Sequence, residues 1–185
     1  MQDVEEFVQE AKSGNIRALS TIYERFYIPV YRYLSIRLQN REDVEELTQE
    51  VFIKAMAGLP KYESRGKPFV AWLFRIAHNL MIDRSRRIRK MVGDVPFDRI
   101  PDAPADENIE QQALSALDLD AVLHTLNQLT NLQRETVSLR FISGLTLNET
   151  AVAMGRKENA VKALQYSALQ AMRRILDTES LPNGE

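Results

Sequence analysis

The chain has 185 residues, a formal net charge of -2 and no cysteine. This length suits one ordinary domain or two small ones, and the lack of cysteine excludes disulfides, thiolate catalysis and cysteine-based zinc sites. The N-terminus is acidic where a signal peptide would be basic, and no apolar run approaches the roughly 20 residues that span a bilayer. We therefore expect a soluble, cytoplasmic protein. Apolar residues mostly recur at intervals of three and four, which predicts an all-α fold.

Charge divides the chain into unlike parts. Residues 1–50 carry ten acids and six bases, whereas residues 51–90 carry ten bases and two acids. Residues 94–110 then hold six acids, one arginine and three prolines without helical periodicity, which is typical of an extended, solvated linker. Apolar periodicity resumes over residues 111–178. The pattern predicts two small helical domains joined by a flexible acidic linker.

The first informative helix is predicted in "REDVEELTQEVFIKAM", residues 41–56. Its apolar positions recur at helical spacing and should face the core: Val44, Leu47, Val51 and Ala55. Three carboxylates share another face, which we call the acidic face: Asp43, Glu46 and Glu50. Such a face is either simply solvated or a docking surface for a basic partner. Like charges at this spacing cost a helix a few tenths of a kcal/mol, which favours the docking surface.

A central buried helix is predicted in "KPFVAWLFRIAHNLMIDRSRR", residues 67–87, because Pro68 suits a first turn and the sequence from Phe69 to Ile82 is largely apolar. Trp72 lies within this run, which favours a core position over a platform for stacking bases. His78 has no second histidine or acid cluster at ligand spacing, so no metal site is predicted.

A basic run follows where the apolar part of that helix ends. It consists of Arg84, Arg86, Arg87, Arg89 and Lys90. These charges either only increase the solubility of the protein or contact phosphates, and their density favours contact with phosphates.

The stretch "GLTLNETAVAMGRKENAVKAL", residues 144–164, predicts a helix-turn-helix. Thr146 and Glu149 form a capping box, Ala151 allows close helix crossing, and Gly155 lies at the turn. Val161 and Leu164 should return to the core. The second helix then presents side chains suited to phosphates and base edges: Arg156, Lys157, Asn159, Lys162, Gln165 and Tyr166. An ordinary helical hairpin is the alternative.

Together these pieces resemble the extracytoplasmic-function (ECF) sigma factors of the bacterial sigma-seventy family. The motif "EDVEELTQEVFIKA" is similar to the region-two helix that docks on RNA polymerase, "FVAWLFRIAHNLMIDRSRR" to the helix that opens the minus-ten element, and residues 126–164 to region four. The resemblance implies region two over residues 1–90, a linker over 91–112, region four over 113–178 and a short tail over 179–185.

The resemblance also implies residue roles. Polymerase binding is expected from Asp43, Glu46, Gln49, Glu50 and Phe52. Minus-ten contacts are expected from Lys61, Arg65, Asn79, Arg84, Arg86 and Arg87. The six residues of the second helix named above are expected to read the minus-thirty-five element. In region two, the loop at residues 60–67 is the expected specificity loop, and Asn79 either helps it hold an unstacked base or caps buried backbone.

The implied partners are core RNA polymerase, promoter DNA and an anti-sigma factor, with no membrane insertion, cofactor or metal. Two departures from the family pattern stand out: Thr130 and Asn131 occupy the usual Leu-Pro stretch before Gln133 and Arg134 of region four, and Ser167 replaces a frequent arginine. Alternatives are a sigma mimic that binds an anti-sigma factor without DNA, and a dimeric repressor or activator, although the repressor leaves the acidic face without a role. An enzyme is disfavoured by the two lone histidines and the absence of a Gly-rich phosphate loop.

Overall fold

Helices provide all regular structure among the residues that the computed structural model describes, which are 4–38, 40–64, 66–92 and 122–179. The predicted all-α class is therefore confirmed. The predicted acidic linker, residues 94–110, lies outside the described residues.

The N-terminal part contains four helices and a short 3-10 turn. The helices are α1 (Val4–Lys12), α2 (Ile16–Ser35), α3 (Arg41–Gly58) and α4 (Phe69–Val92), and the 3-10 turn is Leu59–Lys61. Asn15 and Asn40 begin α2 and α3, because each side-chain oxygen accepts hydrogen bonds from two backbone N–H groups of the following first turn. The first turn of α3 also carries two acids, which complement the positive end of the helix dipole.

Helix α4 is the centre of this part, as its apolar sequence predicts. Phe69, Leu73, Phe74 and Ala77 are at most 1% exposed and pack against α2 and α3. Trp72 is partly buried and contacts Tyr62 and Phe69, with ring centroids 4.9 and 5.5 Å away. The prediction that Trp72 belongs to the core is confirmed.

The C-terminal part begins with a helical segment at residues 122–127. It continues with α5 (Asn131–Val137), a π-helical turn (Ser138–Ile142), α6 (Leu147–Met154) and α7 (Glu158–Glu179). Helix α5 begins without the family's usual Leu-Pro because Thr130 and Gln133 form a capping box. The buried guanidinium of Arg134 donates to the carbonyls of Leu126 and Asn127 at 2.8 Å each and ties α5 to the preceding segment.

The two parts pack directly against each other. Leu139, Leu145 and Ala153 from the C-terminal part join the larger hydrophobic cluster of the N-terminal part. In return, Ile36 from the loop after α2 joins the smaller cluster formed by the C-terminal part. This mutual burial of apolar side chains stabilises the contact between the two parts.

A buried carboxylate lies where the parts meet. Glu135 of α5 is 4% exposed, and Nδ1 of His78 lies 2.5 Å from its Oε1. The hydroxyl of Tyr33 donates to the same oxygen at 3.3 Å, and Nη2 of Arg37 lies 3.7 Å from Oε2. Burial alone would raise the pKa of Glu135, but the hydrogen bond from His78 and the charge of Arg37 hold that pKa below its usual value.

Candidate polymerase and promoter interfaces

The acidic face of α3 forms as predicted, but it is partly neutralised from within the chain. Arg84 of α4 donates to Asp43 through one guanidinium nitrogen and to Glu46 through another at 3.2 Å. The side chain of Glu46 remains 71% exposed, so this carboxylate stays accessible to a partner. Glu50 pairs with Lys54 at 3.4 Å, one turn further along α3.

The same surface of α3 continues beyond the carboxylates with two apolar side chains. Ile53 is 67% exposed and Met56 is 39% exposed, and both follow exposed Gln49 at helical spacing. Ile53 and Met56 were not among the predicted contact residues, although their helical spacing from Gln49 places them on the same side of α3. An acidic surface that continues into exposed apolar side chains is more typical of a protein-binding surface than of a merely solvated one.

Phe52 does not lie on this surface. It is 3% exposed, and its ring packs 4.7 Å from the ring of Tyr23 and 6.3 Å from that of Tyr27. Phe52 therefore belongs to the core, where it holds α3 against α2.

The loop between the 3-10 turn and α4 is anchored at its first residues. Tyr62 is 5% exposed, and its hydroxyl donates to the carbonyl oxygen of Lys67 at 2.9 Å. Burial and the nearby carboxylate of Glu5 raise the pKa of Tyr62 to about 12, which keeps it a neutral donor. Lys61 and Lys67 are exposed beside this anchor, and the predicted contact residue Arg65 lies outside the described residues.

Helix α1 contacts both ends of the same loop. Nζ of Lys12 donates to the carbonyl oxygen of Tyr62 at 2.7 Å, where the loop begins. The backbone N–H of Phe69, the first residue of α4, donates to Oε1 of Glu5 at 2.8 Å. Helix α1 thus ties the loop down at two points.

A cleft of about 690 Å³ opens beside this loop. Glu5, Arg25, Lys67 and Phe69 line one side, and the backbone around Gly144 from the C-terminal part lines the other. Both basic and acidic side chains therefore line the cleft, and residues Ser64, Gly66 and Lys67 of the loop are part of its wall.

The outward surface of α4 carries the remaining predicted minus-ten residues. Asn79, Arg86 and Arg87 are exposed, whereas Arg84 is turned toward α3 by its two carboxylate partners. The basic run therefore splits: Arg84 joins α4 to α3, and the arginines after it face outward. Asp83 lies 3.9 Å from Arg86, on an exposed part of the helix.

The C-terminal part contains the predicted helix-turn-helix. Thr146 and Glu149 form a reciprocal capping box at the start of α6, with hydrogen bonds of 2.7 and 3.2 Å. Helix α6 ends at Gly155, whose φ of 64° and ψ of 34° are left-handed values that glycine adopts without strain. Three residues later α7 begins, and Val161 is fully buried beneath it.

The second helix presents most of its predicted contact residues to solvent. These are Arg156, Lys157, Asn159, Lys162 and Tyr166. A shallow groove of about 400 Å³ lies where α6 meets the start of α7. Across this groove Nδ2 of Asn148 donates to Oε1 of Glu158 at 2.7 Å, which fixes the two helices relative to each other.

Gln165 differs from the other five because it is half-buried. Its Oε1 accepts a hydrogen bond from Nε of Arg140 at 2.9 Å, and Arg140 also donates to the carbonyl oxygen of Leu145. Arg140 was missed in the sequence because only the folded structure brings it beside α7. On the same side of α7, Ser167 accepts from Nε2 of Gln133 at 3.2 Å, so this departure from the family pattern gives an internal contact to α5.

Neither a metal site nor a membrane span is found in the part of the chain that the structure describes. No three histidine, cysteine or acidic side chains gather there as a metal would require. None of the helices described is both long and apolar enough to cross a bilayer.

Comparison with known families places the two parts separately. Residues 22–91 match the family model described as Sigma-70 region 2, and residues 119–172 match the model described as Sigma-70, region 4. The first match spans α3, the loop and α4, and the second spans the helix-turn-helix.

Individual proteins are similar over most of the chain. An ECF RNA polymerase sigma factor of Streptomyces griseus subsp. griseus, ShbA, is 32% identical over 92% of this chain and 93% of its own length. BldN of Streptomyces coelicolor, also an ECF RNA polymerase sigma factor, is 32% identical over 95% of this chain and 66% of its own. Among solved structures, CnrH in complex with the cytosolic domain of CnrY has a TM-score of 0.75 and 25% identity, covering 96% of this chain and 100% of that one.

Proposed function

Because the chain belongs to the ECF sigma factors of the sigma-70 family, we propose that it binds core RNA polymerase, directs it to specific promoters and starts DNA melting, with no catalysis of its own. The family predicted from the sequence motifs is confirmed. The residue roles below are proposals.

The observation that carries the proposal is the arrangement of three chemically different surfaces. The acidic face of α3 and the exposed Ile53 beside it suit a protein partner. The loop before α4 and the outward arginines of α4 suit a single-stranded or melting minus-ten element. The exposed polar residues at the start of α7 suit base edges in a major groove.

This arrangement also explains how an acidic protein reads DNA. Polymerase supplies general phosphate affinity in the holoenzyme, so the sigma factor needs only local positive charge at its reading surfaces. The acidic face can then serve the protein contact without weakening promoter binding. We infer that the chain acts in the cytoplasm, because its proposed role needs RNA polymerase.

The sigma mimic is the competing function. A mimic that never meets DNA has no use for exposed Arg86 and Arg87 on α4, or for the polar residues exposed at the start of α7. The same family similarity supports a further protein partner, such as an anti-sigma factor, for the sigma factor itself, since CnrH was solved in complex with the cytosolic domain of CnrY.

The test is transcription in vitro. The purified chain is mixed with core polymerase and a promoter library randomised at both elements, and the transcripts are sequenced. We expect initiation from a subset with defined minus-ten and minus-thirty-five sequences. Absence of both core polymerase binding and promoter-dependent transcripts would favour the mimic instead.

The loop assignment has its own test. Exchanging residues 60–67 for the loop of another family member should change the preferred minus-ten sequence, because a polar pocket must offset the few kcal/mol lost when a base leaves the stack. Asn79→Ala should weaken the same preference, since Asn79 is exposed on α4, the helix that follows this loop. An unchanged minus-ten profile after the exchange would remove the loop from the reading surface.

A further inference from the structure

We propose that α1 is a positioning element for promoter reading: Glu5 and Lys12 hold the minus-ten loop at its two ends and thereby set its selectivity. This inference rests on the proposed function, because it needs the loop to contact the minus-ten element. The match to the region 2 family model begins at residue 22, after α1 has ended. The region 2 family model therefore does not include α1.

The first hold is at the start of the loop. The ammonium of half-buried Lys12 donates to the carbonyl oxygen of Tyr62 at 2.7 Å, across 50 residues of sequence. Tyr62 in turn donates from its hydroxyl to the carbonyl oxygen of Lys67, which spans the loop from within. A displacement of Lys12 would therefore move Tyr62 and, through its hydroxyl, Lys67 at the other end of the loop.

The second hold is at the end of the loop, where α4 begins. The N–H groups of a first helical turn lack intrahelical partners, and a side chain just before the helix usually satisfies one of them. Here the carboxylate of Glu5, from a different helix, accepts from the N–H of Phe69. Its negative charge also suits the positive end of the α4 dipole. The cap that fixes where α4 begins is thus supplied by α1.

Helix α1 is itself rigidly placed, so it can serve as a support. Val8 and Ala11 are 0% and 5% exposed and belong to the hydrophobic core. We expect both to stay buried when Glu5 or Lys12 is substituted, because neither substitution alters their apolar contacts. Changing Glu5 or Lys12 therefore removes the hold on the loop while leaving α1 packed.

The loop needs such support because its exposed part has little packing of its own. Gly66 has a φ of 76°, and an added Cβ there would meet no atom within 4 Å. Ser64, Gly66 and Lys67 line the 690 Å³ cleft together with Glu5. A loop that must hold an unstacked base gains selectivity when it is fixed in advance rather than ordered on binding.

The experiment compares Glu5→Ala and Lys12→Met with the matched control Glu6→Ala, which changes an exposed acid on the same helix. Each full-length variant directs core polymerase on a library randomised at the minus-ten element with a fixed minus-thirty-five element. We expect the ratio between the preferred base and the next one to fall about three- to tenfold in both variants, the range that one net hydrogen bond provides. The control should keep the parent profile.

Conservative variants separate positioning from simple loss of stability. Glu5→Gln keeps an acceptor oxygen and Lys12→Arg keeps a donor, so both should recover most of the minus-ten preference. Core binding, and the minus-thirty-five profile measured on a second library randomised at that element, should not change in any variant. Equal losses at every promoter position, accompanied by a lower Tm, would show a merely structural role and overturn the proposal.

The proposal and the underlying function fail in different ways. If Lys61→Ala changes the minus-ten profile while Glu5→Ala and Lys12→Met do not, α1 has no positioning role and the loop keeps its reading role. If exchange of the whole loop also changes nothing, the loop does not read DNA and the inference falls with that assignment.

Discussion

Replacing Glu135 by alanine should loosen the contact between the two parts of the chain. Glu135 is the only acidic side chain found close to His78 and Arg37 in the described structure, and it accepts from Tyr33 as well. Without this carboxylate, Tyr33, Arg37 and His78 would be left in the apolar interface without the anion that they contact. Arg37 is already poorly satisfied, because its Nε and Nη2 find no hydrogen-bond acceptor among the described residues.

The size of the effect follows from burial. Breaking a buried ion pair costs about 3–5 kcal/mol, and a buried polar group left unsatisfied costs about 1–3 kcal/mol. Two facts lower the free-energy cost of Glu135→Ala. The Arg37–Glu135 contact is long at 3.7 Å, and the polar groups regain water once the two parts separate. We expect about 2–4 kcal/mol, which shifts the equilibrium between packed and separated parts by about 30- to 1,000-fold.

The absence of cysteine in the native chain makes this measurable by fluorescence energy transfer. Cysteines introduced at exposed Gln49 and Gln170 would carry donor and acceptor dyes on the two parts. Glu135→Ala should lower the transfer efficiency, and Glu24→Ala, at an exposed acid of α2, should leave it unchanged. Equal efficiencies in Glu135→Ala and the parent would refute the reasoning, because the buried carboxylate would then contribute nothing to the packing.

Three further predictions concern the acidic face of α3, the second helix of the helix-turn-helix and the buried Glu135. Reversing the three carboxylates of the acidic face to lysine should abolish binding to core polymerase in a pull-down while the circular dichroism spectrum stays helical; retained binding would remove the docking role of α3. Gln165→Ala should relax the base preference at one or two minus-thirty-five positions, because a contact to a base edge provides about 1–3 kcal/mol of discrimination. Arg156→Ala should weaken binding to all promoters alike and lower the slope of log affinity against log salt concentration by about one, the contribution of one phosphate contact. Sequencing of transcripts at several salt concentrations distinguishes the two effects. The lowered pKa of Glu135 means that its contribution to packing is complete above the usual glutamate pKa and is lost as the pH falls through the lowered value. Acidification below the usual glutamate pKa should therefore lower energy transfer in the parent more than in Glu135→Ala; an equal loss in both would contradict this.

The helix-turn-helix could be predicted from sequence because its signals are local. Thr146 and Glu149 cap one helix, and Gly155 ends it, so three residues within ten positions define the turn. The buried course of α4 could also be predicted, since the sequence between Phe69 and Ile82 is apolar apart from Arg75, His78 and Asn79. In both cases the residues that determine the structure are neighbours in the chain.

Contacts between distant segments could not be predicted in this way. Arg84 reads as one more member of a basic run, and only the packing of α4 on α3 turns it toward Asp43. Glu135 reads as an ordinary surface acid of a short helix, yet three partners from 57 to 102 residues away surround it. A charge that will be buried has the same letter in the sequence as one that will be solvated.

The π-helical turn at Ser138–Ile142 makes the spacing between α5 and the reading helices sensitive to chain length. Its closing bond runs from the N–H of Ser143 to the carbonyl oxygen of Ser138 at 2.9 Å, one residue wider than an α-helical turn. Deleting a single residue here would close an ordinary α-helical turn and shift the remaining residues of the turn into their neighbours' positions. Buried Leu139 and the hydrogen-bonded Arg140 would then lose their present partners. Insertions and deletions that are harmless in most surface segments would therefore be poorly tolerated at this turn, and natural variation there should occur by substitution rather than by change of length.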